Sequence, residues 1–151
     1  LSRASLAAGG LQRLAFDDSG QPSASITVDS FFAPPYQELT KALQGRFEVI
    51  AFPYDWRRSF KEEGRRLAIE VAAELRKHNR TITILAHSTG GLLAQAMIAH
   101  DHATWDTLCS RGGRLVMLGT PTRGTYTVLQ LLTGRGPPPP VPAWIWQHPA
   151  G

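Results

Sequence analysis

Thr81-Ile82-Thr83-Ile84-Leu85-Ala86-His87-Ser88-Thr89-Gly90-Gly91-Leu92-Leu93-Ala94-Gln95-Ala96-Met97-Ile98-Ala99-His100 is the stretch that decides how this chain reads. Thr81 to Leu85 is an unbroken β-branched and apolar run, the composition of a strand buried on both faces of a parallel sheet. From Gly90 to about His100, Leu92, Leu93, Ala96, Met97 and Ala99 suit a helix packed on that sheet. Between strand and helix sits Ser88, with Ala86 two residues before it and Gly90 two after. Small side chains are needed at both positions when the chain reverses so tightly that they nearly touch, which is the context of a nucleophile elbow. Ala86 stands where a glycine is more usual and uses up one methyl group of clearance. Such a turn would hold the Ser88 hydroxyl away from its own backbone and aim the Thr89 N–H at a developing oxyanion, with the positive end of the helix behind it.

Working outward, Arg114 to Leu118 has the character of a second buried strand. Upstream, Ser59 with Glu62 forms a capping box that opens a helix running to about His78, whose buried face is Leu67, Val71 and Leu75 with Ala68 and Ala72 beside them. Phe47 to Phe52 is β-rich and ends at Pro53, and Tyr36 to Gln44 has helical apolar spacing with Gly45 as its stop. Strand and helix alternate, so the expected class is α/β, with a mostly parallel sheet flanked by helices. Two weaker strands, around Leu11–Phe16 and Ser25–Val28, are joined by the turn-rich Asp17–Pro22. Past Leu132 the pattern gives way to Gly134-Arg135-Gly136 and the prolines 137–140, read as a linker or lid root, with a PxxP ligand as the alternative. The expected division is therefore a partial domain over 1–133 and a Pro-rich segment over 134–151. Trp144-Ile145-Trp146 would suit a lid that dips aromatic rings into a lipid interface, or a truncated tail.

Composition narrows the classes of function. The chain has 151 residues, 42% of them apolar, which is enough for one core and not for two. Cys109 is its single cysteine, so no internal disulfide forms, and no Cys/His spacing suits a structural metal. No cofactor is expected. The net charge is +4, and Arg57, Arg58, Lys61, Arg65 and Arg66 crowd together. An anionic lipid surface would favour such a cluster, but Glu62 and Glu63 among them favour an ordinary solvated helix face. Peripheral membrane contact stays open on that basis. Basic residues are not interleaved with aromatics, so nucleic acid is not an expected partner. The chain begins at Leu1, shows no leader pattern and no span-length apolar run, and reads as a clipped piece. Its address is undecided, with the cytoplasm as the default, and its oligomeric state is unknown.

Other residues compete for roles at the site. Tyr54, Asp55, Trp56 and Arg57 follow a predicted strand, so they belong on the same rim as Ser88, where open α/β sheets place their ligands. They are either substrate contacts or a buttress in which Asp55 pairs with Arg57 and Trp56 fills space; the buttress is favoured. His87 adjoins the serine, but neighbouring side chains on a sharp turn point apart, which makes it a poor general base. His100-Asp101-His102 falls at a helix end too close in sequence to fold back over Ser88, and reads as surface.

Pro53-Tyr54-Asp55-Trp56-Arg57 before a helix, His87-Ser88-Thr89-Gly90-Gly91 at the elbow, and Leu118-Gly119-Thr120-Pro121-Thr122-Arg123-Gly124 after the next strand together resemble the lecithin:cholesterol acyltransferase-like branch of the α/β-hydrolases. The resemblance covers roughly Tyr36 to Leu132. It implies an incomplete α/β-hydrolase fold and a serine acyl-enzyme route in which a lipid or other ester gives its acyl group to water or an alcohol. Ser88 matches the nucleophile and Thr89 the backbone oxyanion donor. The family's triad runs serine, acid, histidine, yet this chain has no Asp or Glu after Asp106, and His148 alone follows the last strand. Acid and base are therefore expected outside this chain. The glycine loop that completes the oxyanion hole normally lies before the helix at Tyr36, where Gly9-Gly10 is a poor substitute, and a further strand normally sits between those at Phe47 and Thr81. The isolated chain is accordingly expected to be nearly inactive. A non-catalytic binding or scaffold module with a relic elbow is the main alternative; a peptide hydrolase on the same fold is a weaker one.

Overall fold

The computed structural model describes residues 15–17, 20, 35–126, 130 and 133. The chain separates into two units, Phe31–Val128 and Leu1–Ser30 with Leu129–Gly151. In the second of these, Gly20 N–H donates to Asp17 O at 2.9 Å, and the rest of the turn-rich Asp17–Pro22 lies outside the described residues. Of the strand expected over Leu11–Phe16 only Ala15 and Phe16 are described, Phe16 as a bridge residue; the strand expected around Ser25, Gly9-Gly10, the proline run, Trp144, Trp146 and His148 lie outside the described residues.

The elements bounded within the described residues of the unit Phe31–Val128 run in the order α1 (Pro35–Gln44), α2 (Phe60–Lys77), β1 (Thr83–His87), α3 (Thr89–His100), α4 (His102–Ser110) and β2 (Arg114–Leu118). The two strands pair in parallel, from Thr83 opposite Arg114 to His87 opposite Leu118. The α/β class is thus observed, as a small parallel sheet with helices.

Helix α2 starts where Ser59 accepts the Glu62 N–H at 3.2 Å, and Ser59 Oγ donates to the Glu62 carboxylate at 3.1 Å. Its buried stripe is Leu67, Ala68, Val71 and Leu75, at the spacing read from the sequence. That stripe meets Leu93, Ala94 and Met97 of α3 and Leu108 of α4, and these residues with Ala86 of β1 form the core. The helices approach closely because residue 64 is glycine: a Cβ there would lie 2.8 Å from the Met97 nitrogen. Fully burying each leucine or methionine contributes about 1.5–3 kcal/mol.

Three expectations change. Residues 47–52 do not form a strand: among the described residues no second strand runs alongside them, and Phe47 and Ile50 remain 62% and 58% exposed. An extended segment without a ladder partner gains neither hydrogen bonds nor a covered face. The first strand is displaced two residues toward the elbow, spanning Thr83–His87 instead of Thr81–Leu85. Nor is the sheet buried on both faces. Alternation turns Ile84 and Ala86 to the core, while Leu85 and Leu118 stay 40% and 43% exposed on the other face, which Tyr36 of α1 reaches at His87.

Helix α4 was not expected from the sequence. Asp101 ends α3 and caps α4, accepting the Thr104 N–H at 3.0 Å and its hydroxyl at 2.7 Å. The signal was present in Asp101-x-x-Thr104 followed by Trp105 and Leu108, an N-cap and then an apolar i, i+3 pair.

Candidate active site

Ser88 lies at the junction of β1 and α3 with φ 53° and ψ −127°. It is the one residue other than glycine with a positive φ among the described residues. Holding an L-residue there costs about 1–3 kcal/mol and requires neighbours that leave no alternative. The Ser88 N–H donates to Leu118 O at 2.9 Å, and the Ser88 carbonyl accepts from the Gly91 N–H at 3.1 Å. Its half-buried side chain makes no capping bond to α3. Thr89 is the first residue of α3, so its N–H has no acceptor inside the helix.

The clearance problem sits one residue further along than expected. Ala86 is buried, but a Cβ on Gly90 would lie 3.9 Å from the Ala86 methyl, an ordinary contact. At Gly91, by contrast, a Cβ would overlap the Thr120 side chain, coming within 2.6 Å of Cγ2 and 2.8 Å of Cβ. The start of α3 is thus pressed against the Leu118–Gly124 segment, and Thr120 Oγ1 is buried there without a hydrogen bond among the described residues.

The residues before α2 divide into two kinds. Asp55 and Arg57 are buried and paired: Arg57 Nε and Nη2 donate to the two carboxylate oxygens at 2.8 and 2.5 Å, and the Arg57 N–H adds a third bond at 3.0 Å. The guanidinium bonds hold the Asp55 carboxyl below its ordinary range, and the carboxylate raises Arg57. Arg66 pins the same loop by donating to Pro53 O and lying 4.0 Å above the Phe52 ring. This is the buttress expected of Asp55 and Arg57. Trp56 departs from it: instead of filling space, it is 72% exposed.

Tyr54 does reach the elbow, with its hydroxyl 2.7 Å from Thr89 Oγ1. Tyr36, which the sequence did not bring to the site, places its hydroxyl 2.6 Å from His87 Nδ1, with the two rings edge to face at 5.7 Å. Burial raises the Tyr36 hydroxyl above its ordinary value, and the nearby Tyr54 adds to the shift. No local pattern could have found Tyr36, since it meets His87 across 51 positions of chain.

His100 and His102 are exposed at the ends of α3 and α4, and the Thr104 bonds hold Asp101 below its ordinary range. The basic cluster is largely internally matched, with Arg57 on Asp55, Arg58 4.0 Å from Glu63, and Arg66 bridging Glu63 and Glu70. Arg57, being buried, is not part of a solvated face. Two open clefts among the described residues, of about 440 and 290 Å³, are lined by Lys61, Arg65 and His100 and by Arg76, Thr107 and Arg111, away from Ser88. Among the described residues no helix is long and apolar enough to cross a membrane, and no group of three metal-ligating side chains gathers.

Comparison with known proteins found no curated sequence and no solved structure that matches. A family model described as lecithin:cholesterol acyltransferase matches residues 32–135. That interval is well over half of the chain and holds the Tyr54–Arg57 loop, the strained serine turn and the segment pressed against it, so this chain belongs to the lecithin:cholesterol acyltransferase family.

Proposed function

We propose that this chain carries the nucleophile-bearing part of an α/β-hydrolase that acts on lipid or other esters, with Ser88 as nucleophile and the Thr89 N–H as one oxyanion donor. The observation that carries the reading is the left-handed backbone of Ser88 at a junction between a parallel strand and a helix. Such strain persists where a side chain must be held in one exposed direction. In this reading Ser88 Oγ attacks the ester carbonyl and its proton passes to a base. The carbonyl oxygen takes the negative charge beside the Thr89 N–H, and collapse of the intermediate expels the alcohol, leaving an acyl-Ser88 ester. Water or a second alcohol then takes the acyl group and restores the serine. In this reading the exposed Trp56, on the loop beside Tyr54, meets the substrate or its lipid surface, while Asp55 and Arg57 support that loop.

Acid and base are proposed to come from outside this chain, so the chain alone is nearly inactive. What remains without a base is about 10³–10⁴ over water, and loss of one oxyanion donor removes about 10²–10³ of the full rate. A fluorophosphonate probe tests the assignment: Ser88 in the full-length protein becomes labelled, and Ser88→Ala does not. Absence of labelling in the wild-type protein would refute it. The alternative reading is a binding module with a relic elbow. Failure of the probe together with retained binding to phosphatidylcholine vesicles would select that reading.

A further inference from the structure

We propose that Tyr36 and Tyr54 are positioning residues that hold the Ser88 turn through the residues just before and just after it in sequence, a role whose catalytic consequence rests on the serine reading above. Ser88 is flanked by His87 and Thr89, and each of these side chains ends on a tyrosine hydroxyl: Tyr36 on His87 Nδ1 at 2.6 Å, Tyr54 on Thr89 Oγ1 at 2.7 Å. The two anchors come from different places, Tyr36 from the first turn of α1 and Tyr54 from the loop before α2. Helix α1 ends in backbone bonds from Arg46 and Phe47 to Leu43, and the Tyr54 loop is fastened by the Asp55–Arg57 pair and by Arg66.

Backbone bonds fix much of the turn, and the side-chain anchors add to them. The Ser88 N–H to Leu118 and the Gly91 N–H to Ser88 set the position of the peptide chain. The orientation of the peptide between Ser88 and Thr89, which decides where the Thr89 N–H points, is fixed further by holding the side chains on both sides of it. A misplacement of about 1 Å at a reacting centre can lower rates on the order of a hundredfold, so small rotations here have large effects. Tyr54→Phe and Tyr36→Phe keep the ring and remove only the hydroxyl, which separates the anchor from packing.

The test is amide hydrogen exchange in the full-length protein, read at Ser88 and Gly91 for the turn and at Met97 for the core. In each phenylalanine variant, exchange at Ser88 and Gly91 is expected to quicken by about threefold to tenfold, the net worth of one hydrogen bond, with Met97 unchanged. Adding Thr89→Val to Tyr54→Phe is expected to cause no further change, because both remove the same bond. The His87 ring nitrogen signals are expected to shift in Tyr36→Phe alone. Fluorophosphonate labelling at Ser88 should slow on the order of tenfold in each variant. Unchanged exchange at Ser88 in both variants, or equal quickening at Met97, would overturn the proposal. If exchange responds as expected but wild-type Ser88 takes no label, the anchors stand and the serine reading falls; labelled Ser88 with unresponsive exchange gives the reverse.

Discussion

The backbone N–H of Ser88 donates to the carbonyl of Leu118 at 2.9 Å, which fastens the reversal after β1 to the last residue of its partner strand. The bond ends the ladder that pairs His87 with Leu118, so the strained residue is the first one beyond the sheet. The serine turn and the segment that begins at Leu118 are thereby joined by a backbone bond.

Ser88→Gly is expected to stabilise the protein relative to Ser88→Ala by about 1 kcal/mol, because glycine adopts φ near 53° without a Cβ penalty. Urea unfolding midpoints of the two variants check this. Equal midpoints would mean that the turn stores no strain.

Gly91→Ala is expected to lose about 1–3 kcal/mol, since the added methyl group collides with Thr120 where the helix meets the segment after β2. Gly90→Ala, whose methyl meets only Ala86 at 3.9 Å, is expected to lose less. Adding Thr120→Gly to Gly91→Ala should recover part of the loss in thermal melts.

Breaking the buried pair at the rim by Asp55→Asn is expected to lose about 3–5 kcal/mol at neutral pH, as it leaves the Arg57 guanidinium without its counter-charge. The folded-state pKa of Asp55 is depressed by the Arg57 hydrogen bonds, so this stability is fully present above the ordinary aspartate value. It is lost as pH falls below that value through the lower folded one. The gap between wild-type and Asp55→Asn midpoints should therefore be widest near neutrality and narrow on acidification. A gap that widens in acid would contradict the assignment.

Met97→Ala is expected to lose about 2–5 kcal/mol, because Met97 is fully buried where α2 and α3 meet. Ile69→Ala, on the same pair of helices but 61% exposed, should stay within about 0.5 kcal/mol of wild type. Calorimetry on both variants tests the placement of the core.

Trp56→Ala is expected to leave the unfolding midpoint within about 0.5 kcal/mol, since the ring is 72% exposed. Binding to phosphatidylcholine vesicles should weaken if this ring meets the lipid. Unchanged vesicle binding would remove Trp56 from the contact surface.

Local pattern was enough for α2, whose cap at Ser59 and stripe from Leu67 to Leu75 follow from neighbours three and four residues apart. It was enough also for β2 over Arg114–Leu118, and for a tight turn at Ser88, because small residues and a strand-to-helix switch lie within six positions. It failed at residues 47–52, where strand composition was plain but a strand exists only through a partner that composition does not show. The helix at His102–Ser110 is masked in the sequence by the ionisable His100-Asp101-His102, in which Asp101 serves as a cap.

The amino-acid order alone settled the α/β class, the family and the identity of the bent residue, since each depends on residues near one another along the chain. Which groups surround that bend depended on folding: Tyr36 comes to His87 across 51 residues and Tyr54 to Thr89 across 35, while Thr120 closes on Gly91. Contacts of that kind arise from how helices and loops pack on the sheet. No short-range periodicity encodes them, because it records only what repeats within a turn of helix or along one strand.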